Sequence, residues 1–305
     1  MFRVALASAL LIVMPITKAQ EHPADFDDSI RLDYYYVHTA DFKSDTLTFD
    51  AGNTDSHAIQ LSGVYSLNEK WQIFGGIAYV QKRLVDPIGY GTHNPRVDFW
   101  EYTPPDLRFI DDGDYHGGLQ DFSFGVRYLA LDGPLRVSPY ISFGTPVSDY
   151  PIYGSAIIGK GLNELHVGVS MDFIPYFSDW VFQADIAYIF SEKVLGVDLN
   201  SWLVDLSASY YVTPRFAPRI FLTSRNTPNG LSYPADFEPY EENYDNENGW
   251  RHDQTLKHEF VNAGIGFDYI VNQRYGISAT YYWSIDAENM LEIDKALSMG
   301  VTRRF

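Results

Sequence analysis

Eight ionisable residues lie at alternate positions within short apolar segments, and their charges are of both signs. They are Arg127, Arg136, Glu164, His166, Asp172, Asp185, Asp205 and Arg219. Glu164 and His166 share one parity, for example, while the leucine and valine beside them have the other. This alternation is typical of a β-strand, whose successive side chains point to opposite faces. The same polar parity includes Arg31, Asp33, Asp121, Arg225, Asp268, Asp294 and Arg304. These residues therefore predict a polar, mixed-charge face.

Two interpretations of this face stay open. The charges could line a polar pore that guides a solute, or they could form ion pairs that fill a narrow interior, because a buried charge requires a partner. The chain has no cysteine, which excludes disulfide and thiolate chemistry. No stretch has the spacing of a metal-binding loop. We therefore predict no metal site and no cofactor.

Catalysis is the least favoured function. A lipase-type site needs a serine, a histidine and an orienting group close together on one surface. Of the eight histidines, His166 points to the polar face beside Glu164 and Asp172, and the others fall in the N-terminal tail, in loops or at strand ends. No outward Ser/His pair on adjacent strands is apparent, so we expect no enzyme. An aspartyl/histidine arrangement in the loops stays open as a membrane-embedded hydrolase.

The alternation that positions these residues occurs in twelve segments. They are about 30–38, 57–67, 71–81, 118–129, 135–144, 163–173, 180–190, 201–211, 216–225, 259–270, 275–283 and 293–305. Short turns alternate with longer connections at 39–56, 82–117, 145–162, 191–200, 226–258 and 284–292, and aromatics flank nearly every short turn. Strands of this length, tilted by about 40°, span roughly 25–30 Å, the thickness of an outer-membrane lipid band.

These features together predict an all-β fold, a transmembrane antiparallel up-and-down β-barrel. We expect about twelve strands, long extracellular loops and short periplasmic turns, with ten or fourteen strands as alternatives if a long loop hides a hairpin. A soluble β-sandwich would also alternate. It would not need the loop asymmetry, the aromatic girdle and the export signal described next.

The N-terminus has the pattern of a secretory signal peptide. A basic start precedes an apolar run at 4–16 and the small residue Ala19. We predict a signal peptide at 1–19, a barrel at 20–305 and location in the cell outer membrane. The formal net charge of −18 argues against a nucleic-acid partner.

Two long connections, 82–117 and 226–258, interleave acidic and aromatic residues. They could form a folded cap or an apolar-ligand patch, and their carboxylates could hold divalent cations that bridge lipopolysaccharide phosphates. The alternative is a solvated acidic loop. We expect outer-membrane lipid and lipopolysaccharide as partners.

The terminal strand, which stops on Phe305, looks like the closing strand of a bacterial outer-membrane barrel. The resemblance implies that Phe305 is part of the signal read by the barrel-assembly machinery. The alternative is an ordinary edge strand that happens to be last.

Three stretches resemble the MetA-pathway phenol-degradation family of outer-membrane barrels. They are G-G-L-Q-D-F-S-F-G-V-R-Y-L from Gly117, P-Y-I-S-F-G-T-P from Pro139 and L-N-E-L-H-V-G-V-S from Leu162. The resemblance implies an outer-membrane channel. We therefore favour a passive channel for small solutes, with aromatic or other apolar molecules as one class. The alternative is a non-conducting structural or surface-interaction barrel that acts through its acidic loops, which depart from the family pattern.

Overall fold

The computed structural model describes residues 28–44, 48–49, 52–85, 113–152, 155–232, 236 and 252–305. The predicted signal peptide at 1–19 lies outside these residues, as do most of the two acidic loops. Among the described residues, no helix is long and apolar enough to cross a membrane.

Fourteen strands and one helical turn make up the described fold. The strands are β1 (Ser29–Lys43), β2 (Thr48–Phe49), β3 (Asn53–Ser66), β4 (Trp71–Val85), β5 (His116–Leu119), β6 (Phe122–Tyr128), β7 (Leu135–Thr145), β8 (Glu164–Phe173), β9 (Trp180–Ser191), β10 (Ser201–Tyr210), β11 (Phe216–Asn226), β12 (Glu259–Ile270), β13 (Tyr275–Glu288) and β14 (Met290–Arg304). The helical turn α1 is His252–Thr255.

Antiparallel pairing runs around the whole sheet, and β14 pairs with β1, so the sheet closes into a barrel. β5 and β6 both pair with β4 and act as one interrupted strand, while β2 is a two-residue strand that pairs with the end of β1. The wall therefore has twelve strands, which confirms the predicted fold class and strand number.

Alternation divides the wall into an apolar outer face and a polar inner face. On β1, the outward Leu32 is 51% exposed, whereas the inward Asp33 is 3% exposed. The other strands repeat this pattern, so large apolar side chains cover the outside. Such a surface is stable only against an apolar environment, as in a lipid bilayer.

The short turns lie at one end of the barrel, here named the turn end, and the long connections lie at the opposite loop end. Asn68 Oδ1 accepts the amides of Lys70 and Trp71 at 2.9 and 3.0 Å, and Asn272 fixes a second turn in the same way. An Asn side chain that accepts such amides favours a tight reversal. The turns predicted at these positions are therefore confirmed.

An aromatic belt surrounds the turn end, as predicted. Trp71 and Tyr128 have ring centroids 4.8 Å apart, and those of Trp180 and Tyr210 are 5.1 Å apart. Both tryptophans are exposed on the outer face. Such rings suit the boundary between lipid and water, because they are apolar in body and polar at one edge.

The predicted loop at 284–292 is wrong, because β13 and β14 continue through it. They are joined by a turn at Asn289, whose φ of 56° is a left-handed conformation that Asn tolerates. The sequence predicts a loop there because acidic residues interrupt the apolar alternation.

The prediction that Asp294 faces the interior is also wrong. His38 pairs with Lys295 and Thr39 pairs with Ile293, so the register skips Asp294. This bulge reverses the alternation. As a result Ile293 is buried, and the side chain of Asp294 is 54% exposed.

Candidate functional site

The candidate site is the barrel interior, because all eight predicted residues lie on the inner wall. The structure does not gather them into one cluster. Arg136 contacts Asp132 at the turn end, and Arg127 donates to Gln72. Asp172 accepts from Gln183 at 3.0 Å. The remaining five take part in the three groups described next.

Ion pairs lie on the inner wall at the turn end. Arg31 donates through Nε and Nη2 to the two carboxylate oxygens of Asp33, both at 2.7 Å, and Nη2 also donates to Ser278 Oγ at 2.8 Å. Arg219 Nη1 donates to Asp268 Oδ2 at 3.1 Å. Bidentate pairs such as Arg31 with Asp33 satisfy both buried charges. At the turn end, these charged side chains of the inner wall are therefore paired with each other, as the ion-pair interpretation predicts.

Two carboxylates face each other midway along the barrel. Asp185 of β9 and Asp205 of β10 are direct cross-strand partners. The hydroxyl of Tyr140 donates to Asp185, and that of Thr223 donates to Asp205, both at 2.5 Å. Like charges directly opposite each other repel, so this pair concentrates negative charge at one height of the inner wall.

Tyr140 reaches Asp185 by lying across the intervening strand at Gly168. A Cβ atom at Gly168 would come within 2.5 Å of Tyr140 Cζ, so only glycine leaves room for the ring. The sequence placed Tyr140 and Gly168 on the polar parity, but it did not predict their contact. An aromatic residue on an otherwise small and polar face was the available signal.

Two further inward rings lie over glycines in the same way. Phe74 of β4 covers Gly125 of β6, and Phe221 of β11 covers Gly264 of β12, and a Cβ atom at either glycine would collide with the ring above it. The Phe74 ring also contacts Tyr140, with centroids 5.9 Å apart. Aromatic surface is therefore present inside the barrel beside the paired carboxylates.

A charged group connects β8 to β11 on the inner wall near the loop end. Glu164 accepts from Arg225 Nη2 at 2.9 Å and from Ser191 Oγ at 3.2 Å, and His166 Nε2 lies 3.2 Å from its other oxygen. Arg225 belongs to β11 and Glu164 to β8, so the ion pair spans two intervening strands. The predicted neighbours Glu164 and His166 do come together.

The β7–β8 connection folds into the barrel, a feature that the sequence did not predict. We name residues 146–163 the inserted loop; its Ile157 and Ile158 are buried. Ile158 packs with Tyr150 against the inner wall at Ala58, Ala78 and Val80. These three wall residues are apolar on a face that is otherwise polar, and this was the signal available in the sequence.

Hydrogen bonds fix the inserted loop from two sides. Gln120 Nε2 donates to Ile158 O, and Gln254 Nε2 of α1 donates to Lys160 O, both at 2.5 Å. Tyr150 donates to Asp121 at 2.6 Å. The loop is thus anchored to the wall and to the segment that precedes β12.

Lys160 is the basic residue of this loop. Its burial lowers its pKa to about 7, and the nearby Arg225 acts in the same direction, while Glu164 opposes them. Burial also lowers the pKa of His258, which is further lowered by the charge of Lys160. The inserted loop therefore carries a lysine whose charge changes near neutral pH.

Phe305 lies on the outer face at the turn end and is exposed. Its amide donates to Asp28 O at 3.0 Å, and the guanidinium of Arg303 lies 4.9 Å from its ring centroid. Within the described residues, no group of three or more His, Asp or Glu is placed to hold a metal ion.

The chain is similar to several solved structures of outer-membrane proteins. An outer membrane channel from Pseudomonas putida F1 is similar over 93% of this chain and 99% of its own, with a TM-score of 0.64 and 11% identity. The NanC porin covers 90% of this chain and 100% of its own at a TM-score of 0.49 and 10% identity. The translocator domain of the autotransporter NalP from Neisseria meningitidis is similar over 92% of this chain and 89% of its own, with a TM-score of 0.49 and 10% identity. No protein-family model and no curated protein matches the chain. At these identities, the likeness to the Pseudomonas channel establishes a shared fold.

Proposed function

We propose that this protein is an outer-membrane barrel that passively conducts small solutes, aromatic or other apolar molecules included. The observation that carries the proposal is the set of inward rings of Phe74, Tyr140 and Phe221, of which Tyr140 contacts Asp185, the cross-strand partner of Asp205. The fold shared with the Pseudomonas channel supports it. The stretches that resemble the MetA-pathway phenol-degradation family also support it, and membership of that family is part of the proposal.

The chemistry of the inner wall suits a solute with both apolar and polar parts. The lumen of a porin is generally polar along its length. Here rings offer apolar contact, while the hydroxyls and carboxylates beside them retain hydrogen-bonding capacity. A small aromatic molecule could therefore pass the middle of the barrel without losing all of its polar contacts.

The carboxylate pair gives the channel an expected ion preference. Two adjacent negative groups within a narrow, low-dielectric wall raise the local concentration of cations. We therefore expect the open channel to be cation-selective.

Conductance in planar bilayers tests both statements. The folded wild-type protein should conduct, and the double variant D185N/D205N should shift the reversal potential in a salt gradient toward that of an unselective channel. D294N is the control, because it makes the same Asp-to-Asn change at one exposed outer position. A folded protein that never conducts would contradict the channel, and an unchanged reversal potential would contradict the role of the pair.

The inserted loop favours one second candidate, a non-conducting structural or surface-interaction barrel. Its apolar side chains and its hydrogen bonds to the wall occupy the interior near the loop end. If neither the wild type nor a variant with a displaced loop conducts in planar bilayers, this candidate is supported.

A further inference from the structure

The outer face across β14, β1, β3 and β4 changes in character toward the loop end. Cross-strand partners form four rows, which from the turn end are Val301/Leu32/Leu61/Ile77, Met299/Tyr34/Ile59/Tyr79, Leu297/Tyr36/His57/Gln81 and Lys295/His38/Asp55/Arg83. The first row is apolar and the second partly aromatic, whereas the fourth is entirely ionisable. The first and fourth rows are six residues apart along a strand, about 20 Å. The fourth row therefore lies at the edge of the apolar band nearest the loop end.

In this fourth row, the outer ionic row, the acid is enclosed and two cations are accessible. Asp55 accepts from Arg83 Nη2 at 3.0 Å, and His38 Nδ1 lies 2.9 Å from its other oxygen. The side chain of Asp55 is 13% exposed, whereas those of Arg83 and Lys295 are 37% and 50% exposed. Lys295 makes a loose 3.7 Å contact with Asp294. Within the row, the accessible charge is therefore mainly positive, and Asp294, at 54% exposure, is an accessible acid beside it.

Rings with polar edges lie beside Arg83. Its guanidinium lies 4.6 Å from the ring centroid of Tyr115. His57 joins two hydroxyls, with Nδ1 2.7 Å from Tyr34 and Nε2 3.1 Å from Tyr115. Both tyrosines are exposed on the outer face. Such rings offer a flat surface and hydroxyl groups, which together suit a sugar ring.

We propose that the outer ionic row binds the phosphorylated glucosamine disaccharide of lipid A. This inference rests on the outer-membrane location in the proposed function. Arg83 and Lys295 lie on strands three spacings apart, about 14 Å. They can therefore meet phosphates at the two ends of one disaccharide, which a single free phosphate could not do. Arg and Lys at the head-group level bind phosphate by charge-assisted hydrogen bonds, and the aromatic rows below them contact the acyl chains.

Native mass spectrometry of the folded, lipid-free protein tests the site with bis-phosphorylated lipid A. The double variant R83Q/K295Q should bind at least about ten-fold more weakly, because two charge-assisted contacts are lost. R83K/K295R keeps both charges and should retain binding, which separates charge from a loss of folding. R303Q is the matched control, since Arg303 also lies against an aromatic ring on the outer face but at the turn end.

Three results would overturn the inference. They are unchanged affinity of R83Q/K295Q, an equal loss in R303Q, and binding of phosphatidylglycerol or inorganic phosphate as tight as that of lipid A. Conductance of the same samples separates this site from the channel. A protein that conducts without binding lipid A contradicts only this inference, and one that binds lipid A but never conducts contradicts only the channel.

Discussion

Tyr140 can donate to Asp185 because the residue between them, on β8, has no side chain. The polar parity of both residues was readable from the sequence, and so was the inward position of all eight predicted residues. Their partners were not readable, since contacts such as Arg225 with Glu164 cross two strands and depend on the curvature of the closed wall. Alternation gives the face of a residue but not its distance from residues on other strands.

Replacing Gly168 by valine should displace the Tyr140 ring. The new Cβ would lie 2.5 Å from Tyr140 Cζ, and overpacking of this kind typically costs about 1–3 kcal/mol. We expect a lower temperature at which unboiled protein loses its compact migration on a gel. G133A is the control, because a Cβ at this turn position would meet nothing within 4 Å. Equal transition temperatures for G168V and the wild type would refute the close contact.

Lys160 should make insertion of the loop depend on pH. Its pKa is about 7 when buried, against an ordinary value of 10.5. Between these two pH values, Lys160 is protonated when the loop is withdrawn and neutral when the loop is inserted. Insertion therefore releases a proton, so it becomes more favourable as the pH rises and less favourable as the pH falls toward about 7. Below that value both forms are protonated, and this dependence ends.

Conductance measured between about pH 7 and 10 checks this prediction. His258 stays neutral throughout this range, so it does not contribute to the pH dependence. The wild type should conduct more as the pH is lowered across this window. K160M removes the titrating group and should give a flat profile. A flat wild-type profile, or an equally steep one in K160M, would exclude Lys160 as the cause.

At the scale of elements, the wall was predictable and the inserted loop was not. A strand repeats its pattern every two residues, so each of the twelve segments carries several independent signs of the same structure. The inserted loop has no such period. Its direction is decided by packing of Ile158 on Ala58, Ala78 and Val80, which are far from it in sequence. The bulge at Asp294 was not predictable for a related reason, because a register shift of one residue has no local sequence pattern.

Replacing Ile158 by aspartate should displace the inserted loop. An unpaired carboxylate against the apolar wall is strongly unfavourable, so withdrawal of the loop should become the lower-energy state. We expect a larger single-channel conductance and new protease cleavage within 146–163. V147D is the matched control, since Val147 is an exposed residue of the same loop. Wild-type conductance in I158D, with the loop still protected, would show that this packing does not hold the loop.

For the molecule as a whole, closure depends on the pairing of the first and last strands. β14 pairs with β1 from Arg304 opposite Ser29 onward, and the Phe305 amide continues the contact to Asp28. The ring of Phe305 is exposed rather than packed into the wall. Its proposed role is therefore in recognition by the assembly machinery, and it contributes little to the finished barrel.

Deletion of Phe305 should lower the amount of folded barrel in the membrane without changing the conductance of those barrels that form. Immunoblots of unboiled membrane samples measure the first quantity, and bilayer recordings measure the second. F177A is the control, because Phe177 is a fully exposed aromatic at the same end. Normal membrane levels after the deletion would contradict the assembly role.

The rings that lie over glycines have a consequence for how this wall can evolve. In each of three pairs, the ring on one strand fills the space that a side chain at the glycine of the neighbouring strand would need. The pairs are Phe74 with Gly125, Tyr140 with Gly168, and Phe221 with Gly264. A larger residue in place of the glycine clashes with the ring, and a small residue in place of the ring leaves a cavity. Neither member of a pair can change freely without the other, so each pair should be inherited or replaced as a unit among descendants of this sequence.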